Sequence, residues 1–431
     1  MSGAGPVVVR AARDDELEAV GALTAAAYVA DGLVEVDHWY ADELRDARAR
    51  AAQATLLVAV VEPTGDVLGT VTLAWPGTRY AEVARPDEVE LRMLAVDPAR
   101  RGAGVAEQLV RGALRTALAR GFRDVVLSTL DPMTAAQRLY ARLGLVARLE
   151  RDWSDEVTMR VHTWHAAPAP GVDVEVATWP PLRTADVDGW RVGLSRGVTR
   201  RASSTVADRD VTDLPAAVDR VEALYRADGA PATFRVGDPG HPAGLAAELD
   251  RRGYAVASLT DVLVRDVAPR PDRATVPGPG AARAGARTDD VPARRVRVAD
   301  APDDAWLDVW LRGKGGARDV SRAIVSAAPA LYLTAADDAG RDVAVIRAAL
   351  AGDWVGLSCL QVAGTARRQG WGRTLTTAAL DAAVERGARR AFLQVEAHNV
   401  GALRLYEALG FRLAHGYAYR ELAARGAADA S

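Results

Sequence analysis

An internal repeat constrains this chain more than any other feature. Shifted by 266 positions along itself, the sequence pairs Val96–Leu145 with Val362–Phe411 without a gap, and 17 of the 50 paired residues are identical. Shared positions include Val96/Val362, Arg101/Arg367, Gly104/Gly370, Leu109/Leu375, Gly121/Gly387, Ala136/Ala402, Leu139/Leu405, Tyr140/Tyr406 and Gly144/Gly410. Self-similarity at this spacing means that one structural unit is built twice, so the fold of the first copy predicts that of the second.

In the first copy, Val7–Arg10 reads as a strand and Asp14–Ala27 as a helix opened by acidic residues. Leu56–Val61 and Val67–Trp75 flank Thr64-Gly65-Asp66, a hairpin signal. A strand over Val89–Val96, a glycine loop and a helix from Gly104 to Arg120 follow, with Leu109, Ala113, Ala117 and Leu118 at helical spacing. Strand Val125–Thr129, helix Thr134–Leu143 and two closing strands before His162 complete the copy. Strands alternating with helices around a central strand-loop-helix unit predict a mixed α/β sheet flanked by helices.

Ala166–Val172, with its Pro-Ala-Pro-Gly, reads as a linker, and Ala268–Arg295, rich in Pro, Gly, Ala and Arg, as a flexible loop. Between them lies a degraded third copy. It has a helix near Ala216–Arg226, a strand Thr233–Val236 and a helix ending Leu249-Asp250-Arg251-Arg252-Gly253-Tyr254, with leucine where the other copies carry tyrosine and no glycine loop before its first helix. The expected organisation is therefore a first domain over residues 1–163, a degenerate region over 172–268, a linker over 269–294 and a second full domain over 295–425.

The glycine loops carry the chemistry. Leu94-Ala95-Val96-Asp97-Pro98-Ala99-Arg100-Arg101-Gly102-Ala103-Gly104-Val105-Ala106 sets a glycine-bearing turn between a strand and a long helix, and Leu360 to Gly372 repeats it. Amides at a helix N-terminus, together with the positive end of the helix dipole, form an anion site, and small residues let a phosphate approach the backbone. The pattern Arg-x-x-Gly-x-Gly/Ala is neither a dinucleotide fingerprint nor a Walker loop. At a fixed distance downstream each copy carries a second motif, Asn399-x-x-Ala402-x-x-Leu405-Tyr406-x-x-x-Gly410-Phe411 and Met133-x-x-Ala136-x-x-Leu139-Tyr140-x-x-x-Gly144-Leu145.

With these paired motifs, both copies resemble the GCN5-related N-acetyltransferase (GNAT) superfamily. The resemblance covers most of residues 1–163 and 295–425 and implies a mostly antiparallel sheet and acetyl-CoA as acyl donor. It implies that the strand residues Leu94, Ala95 and Val96, and Leu360, Gln361 and Val362, pair with the pantetheine arm. The amides of Arg101, Gly102, Ala103, Gly104, Val105 and Ala106, and of Arg367, Arg368, Gln369, Gly370, Trp371 and Gly372, would cradle the pyrophosphate. Asn399 would hydrogen-bond the pantetheine, a contact that Met133 cannot make. The segment Gly197 to Ser204, with Trp190-Arg191, is similar to one preceding the catalytic half of some actinobacterial acetyltransferases.

Acyl transfer to an amine needs a neutral nitrogen, a stabilised oxyanion and a proton for the departing thiolate. A phenol of pKa about 10 stays protonated at neutral pH and can donate to a thiolate whose thiol has pKa about 8.5. Tyr140 and Tyr406 are the candidate acids; Glu90, six residues before Val96, is the candidate base, and its counterpart in the second copy is Gly356. The bland alternatives are a core tyrosine at each position and, for Glu90, a strand residue facing Arg92 or solvent. Cys359 reads as a small buried hydrophobe, and Trp371 either covers the ligand or packs the turn.

Composition narrows the partners. Lys+Arg 54 against Asp+Glu 57 leaves a net charge of -3, which supplies no field for nucleic acid or an anionic membrane. One cysteine and six histidines without an HExxH pattern leave no metal centre to expect. No apolar run reaches 18 residues and no signal-type core follows the N-terminus, so a cytoplasmic protein is expected. The expected function is acetyl transfer from acetyl-CoA to a primary amine of a small molecule or protein. Its alternatives are a mycothiol synthase-like acetyltransferase and a non-catalytic acyl-CoA sensor.

Overall fold

The computed structural model describes residues 6–154, 157–237, 242–267, 296–312 and 317–422. The loop expected at 269–294 and the last residues of the span 295–425 lie outside them. The chain forms two units, residues 1–166 and 167–431.

In the first unit, β1 (Val7–Ala11), β2 (Ala54–Val61), β3 (Val67–Ala74), β4 (Glu88–Val96), β5 (Asp124–Leu130), β6 (Val146–Ala147), β7 (Trp153–Ser154) and β8 (Thr158–His165) form one sheet. Its order is β1-β2-β3-β4-β5-β8-β6, with β7 on β8. All pairs are antiparallel except β4 and β5, whose parallel pairing requires a crossover. That crossover is α4 (Val105–Ala119), which follows α1 (Leu17–Ala30), α2 (Trp39–Arg45) and α3 (Ala47–Ala51) and precedes α5 (Thr134–Arg142). Leu109, Ala113 and Ala117 of α4 are fully buried, as their spacing predicts.

The second unit contains α6 (Val172–Thr178), β9 (Arg183–Val187), β10 (Trp190–Leu194), β11 (Thr205–Val206), α7 (Leu214–Asp228), β12 (Thr233–Gly237), α8 (Leu245–Arg251) and β13 (Tyr254–Asp266). It continues with β14 (Val296–Ala299), α9 (Asp304–Leu311), α10 (Arg318–Ser326), β15 (Ala330–Ala336), β16 (Asp342–Ala351) and β17 (Trp354–Val362). Last come α11 (Trp371–Glu385), β18 (Arg390–Glu396), α12 (Val400–Glu407) and β19 (Arg412–Leu422). The sequence reading separates residues 172–268 from 295–425, whereas the structure joins their strands in a single sheet of order β14-β15-β16-β17-β18-β13-β19-β12-β11-β10-β9.

The middle of that sheet is an exchange. In the first unit β5 pairs with β8, a later strand of the same copy. In the second unit β18 pairs with β13, which comes from the middle segment, and β12 of the middle segment pairs with β19, the last strand of the chain. The two traded strands also run side by side from Tyr254↔Leu422 to Val264↔Arg412. Two parallel crossovers result, β17-α11-β18 and β11-α7-β12.

Candidate active site

Both full copies open the sheet in the same way. Along β4 the partner register on β3 jumps between Thr70/Ala95 and Thr72/Arg92, so that two residues oppose one and the strand bulges. The same jump lies between Val345/Gln361 and Arg347/Ser358 on β16 and β17. At each bulge one residue adopts a left-handed backbone, Met93 (φ 51) and Cys359 (φ 59), positions that differ by the repeat offset of 266. The parallel ladder to the next strand covers only Glu88–Glu90 in the first copy and Trp354–Leu357 in the second. Beyond these residues β4 and β17 diverge from β5 and β18, and a cleft forms at the carboxyl ends of the strands, where open sheets bind ligands. Leu94–Val96 and Leu360–Val362 form the cleft-side ends of β4 and β17.

Each strand then leads into a helix whose N-cap is a glycine in the left-handed region, Gly104 (φ 81, ψ 11) before α4 and Gly370 (φ 84, ψ 0) before α11. A side chain is disfavoured at that backbone geometry, and glycine turns the first-turn amides off the helix end. Two residues earlier a second left-handed position is held by Gly102 in the first copy and by Arg368 (φ 61) in the second. Arg101 anchors its loop from the side: Nη1 lies 2.7 Å from Asp31 Oδ1, just past α1. The indole of Trp371 packs into the core, 6% exposed, and its Nε1 donates to Gln369 Oε1 at 3.3 Å. The Trp371 side chain thus packs beneath the turn, within the core of the second unit.

Tyr140 on α5 and Tyr406 on α12 are both buried, with rings against His162 and Phe411 respectively. Burial raises the Tyr140 phenol above its ordinary range. Burial also pushes Tyr406 up to about 12, against a small opposing pull from the Arg201 charge. Both phenols therefore carry their proton at neutral pH. Asn399 is the N-cap of α12, with Oδ1 accepting from the Ala402 amide at 3.1 Å. Met133 makes no such cap for α5.

Glu90 is placed differently from the expectation of a base reached through water. It is 1% exposed, and Oε2 accepts from the amides of Glu82 (2.7 Å), Val83 (2.8 Å) and Ala84 (3.2 Å). Oε1 lies 3.8 Å from Arg92 Nε. Burial raises its pKa, while these amides and Arg92 pull the other way. The carboxylate is a clasp for the 82–84 loop.

In the second unit the cleft is a cavity of about 450 Å³. One wall is β17 and β18, with Ser358, Cys359, Leu360 and Gln394, and Asn399 and Tyr406 stand at the start and end of the α12 side. Further lining comes from the middle segment, β19 and α9: Trp179, Thr199, Arg200, Arg201, Thr260, Tyr417, Tyr419 and Trp310. Sequence reading notes Gly197 to Ser204 only as a segment similar to one in related acetyltransferases and puts none of this lining at the site; no repeat marks it, and the joined sheet brings it to β17.

Behind the wall sits Glu175 of α6, 2% exposed, with Oε2 accepting from Arg235 Nη2 and Gln394 Nε2 (both 2.5 Å) and Oε1 2.8 Å from His415 Nε2. Burial pushes this carboxyl up, but the Arg235 charge and the His415 contact outweigh it and hold the pKa at about 2. Among the described residues no group of three or more His, Cys, Asp or Glu side chains could hold a metal, and no helix is long and apolar enough to cross a membrane.

Residues 173–420 match the family described as "Probable histone acetyltransferase Rv0428c C-terminal", and residues 20–145 match "Acetyltransferase (GNAT) family". No curated protein matches the sequence. Among solved structures, a GCN5-related N-acetyltransferase from Kribbella flavida is 20% identical, covering 61% of this chain and 99% of its own, at a TM-score of 0.41. One from Sphaerobacter thermophilus is 14% identical over 97% of this chain and 96% of its own, at 0.33. The putative acetyltransferase yncA from Salmonella typhimurium, solved with acetyl-CoA, is 19% identical over 39% of this chain and 99% of its own, at 0.29. With a family match over more than half of its length and a second acetyltransferase match over its first copy, the chain belongs to the GNAT acetyltransferase family.

Proposed function

We propose that the protein is an acetyl-CoA-dependent N-acetyltransferase whose main catalytic site is the cavity of the second unit. The observation that carries this reading is a bulged, diverging strand and a protonated, buried tyrosine lining one cavity, with a glycine-capped helix N-terminus at the end of the loop that leaves the same strand. Leu360, Gln361 and Val362 offer backbone groups to an extended pantetheine arm, and the amides at the start of α11 face the pyrophosphate. Asn399 keeps its side-chain NH2 for the pantetheine while its oxygen caps α12.

The acceptor nitrogen forms a bond to the thioester carbonyl carbon, the C–S bond breaks, and the thiolate takes the phenolic proton of Tyr406. The proton released by the amine returns to the tyrosine through solvent. A phenol held at about 12 does not ionise in the resting enzyme; it is a weaker acid than a thiol of pKa about 8.5, so proton transfer to sulfur is completed by the return of the amine's proton to the phenolate. Tyr140 is the corresponding acid of the first copy.

For the first copy a second reading has its own support: Glu90 is spent on a loop and Met133 stands in place of the asparagine. A binding site that senses acyl-CoA without turnover fits these residues. Calorimetric titration of acetyl-CoA into the wild type, Gly104→Glu and Gly370→Glu separates the readings, since a carboxylate at the helix N-terminus repels the pyrophosphate. Gly370→Asn, whose side chain tolerates a left-handed backbone, controls for strain. Loss of one binding equivalent and of all turnover in Gly370→Glu is the expected result. Binding of no acetyl-CoA by the wild type overturns the acetyltransferase reading.

A further inference from the structure

The cavity of the second unit contains a cation that the transfer chemistry does not use. Arg201 stands on a turn fixed by the Ala202 and Ser203 amides donating back to the Thr199 carbonyl. Thr199 Oγ1 also accepts from Trp179 Nε1 at 3.3 Å, which ties the indole to the same turn. The Arg201 guanidinium lies 5.1 Å from the centre of the Trp179 ring. Its neighbour Arg200 is neutralised by Glu421 at 3.0 Å, but among the described residues no carboxylate pairs with Arg201.

A second guanidinium meets the same indole. Arg347 is fully buried, 5.2 Å from the Trp179 ring centre, and bonds only to carbonyls, those of Val325 (2.7 Å) and Thr178 (2.8 Å). Its Nη2 has no partner, and no carboxylate among the described residues balances it. Glu175, the buried carboxylate beside Trp179, has both oxygens occupied by Arg235, Gln394 and His415. Glu396, the acidic residue on the cavity wall, is 49% exposed and turned to His398 at 3.3 Å. Arg347 places an unbalanced charge beneath the Trp179 ring, and Arg201, half-buried on the cavity wall, is the unpaired cation that an anion entering the cavity can reach.

Two neutral atoms in the same cavity also await partners: Ser358 Oγ and Gln394 Oε1 are buried and make no hydrogen bond. Ser358 adjoins the Cys359 bulge, and Arg201, Ser358 and Gln394 line the same cavity as Tyr406, whereas no residue of the 364–372 loop does, so these groups lie on the tyrosine side of the cleft. A planar guanidinium on an indole face presents a two-pronged donor that matches a carboxylate.

We propose that the acceptor of the second unit is a small amine that carries a carboxylate, of the amino-acid class. Arg201 binds the carboxylate on the Trp179 face, and Ser358 and Gln394 bind the acceptor's other polar groups. The inference rests on the acetyltransferase reading and names its substrate class. It sets this cavity against a lysine-rich protein tail, which would bring further positive charge to Arg201.

The test uses the full chain with acetyl-CoA, thiol release as the readout, and matched acceptors: amino acids, the amines that result from their decarboxylation, and a lysine-rich peptide. Calorimetry with N-acetyl amino acids and N-acetyl amines in the presence of CoA provides a binding readout that needs no turnover. The expected result is that carboxylate-bearing acceptors win by at least about tenfold in kcat/KM, and their N-acetyl forms bind more tightly. Arg201→Met should raise KM for them by about 10- to 100-fold and erase the preference, Arg201→Lys should fall between, and acetyl-CoA affinity should hold in both.

Equal or better use of decarboxylated amines or of the lysine-rich peptide overturns the proposal and leaves the acetyltransferase reading standing. So does a preference that survives Arg201→Met, or acetyl-CoA binding with neither turnover nor N-acetyl amino acid binding. Absence of acetyl-CoA binding in the wild type removes both readings.

Discussion

Glu175 is the residue whose removal should be felt most widely in the second unit. Its carboxylate is shared by Arg235 from β12, Gln394 from β18 and His415 from β19, so it links α6 to both sides of the strand exchange. Glu175→Gln keeps the shape and removes the charge, leaving the buried Arg235 guanidinium against the Tyr417 ring, 3.9 Å away, without a counter-ion. A carboxyl pKa lowered from 4.5 to about 2 corresponds to about 3 kcal/mol of folded-state preference for the charged form. Removing one partner of a buried ion pair costs roughly 3–5 kcal/mol, in agreement.

Hydrogen-exchange mass spectrometry of the full chain reads α6, β12 and β19 apart from the first unit, and a loss of about 3 kcal/mol lowers protection there roughly hundredfold. The pH dependence has a definite sign. The folded-state pKa lies below the unfolded one, so the contribution is present above pH 4.5 and is lost as pH falls towards 2. Wild type and Glu175→Gln should therefore differ most at neutral pH and converge through that window. Adding Arg235→Met to the variant should restore part of the loss, because the stranded charge goes with it. A change below about 1 kcal/mol at pH 7, or a gap that is as large at pH 2.5 as at pH 7, would refute the reasoning.

Tyr406→Phe should lower kcat by about 100-fold or more while calorimetry finds acetyl-CoA affinity unchanged, as expected for a group that acts only on the leaving thiolate. Glu90→Ala should destabilise the first unit by roughly 2–4 kcal/mol, since three amides lose their acceptor, and thermal unfolding reads this directly. If stability holds and only turnover falls, Glu90 is a base after all. Met133→Asn should gain up to about 1 kcal/mol in the first unit by capping α5 as Asn399 caps α12, and Asn399→Ala should cost a similar amount in the second.

Much of the site was legible because it is local. The strand Val89–Val96, the helix after Gly104 and the strand after Gly121 needed only short-range periodicity and glycine at two turns, and the structure places β4, α4 and β5 within a residue of those bounds. The tyrosines were found by repetition at a fixed offset. The surroundings of Glu90 were not legible, because residue type says nothing about which amides fold back over a carboxylate, and the 82–84 loop that covers it is a tertiary choice. The burial of the Trp371 indole is likewise a tertiary outcome that its place in the loop motif does not show.

What the sequence determined by itself is the duplicated strand-loop-helix, with its glycine-capped helix and the tyrosine that follows at a fixed distance, because those features depend on neighbours a few residues away. Only the tertiary structure decided the left-handed bulges at Met93 and Cys359, the trade of β13 for β19, and the meeting of Trp179 and Arg201 with Ser358 and Tyr406. A strand alternates its side chains with period two whichever partner it takes, so its own pattern does not name that partner. The partner is selected by the packing of the whole sheet, which here places Glu175 against His415 across 240 positions of chain.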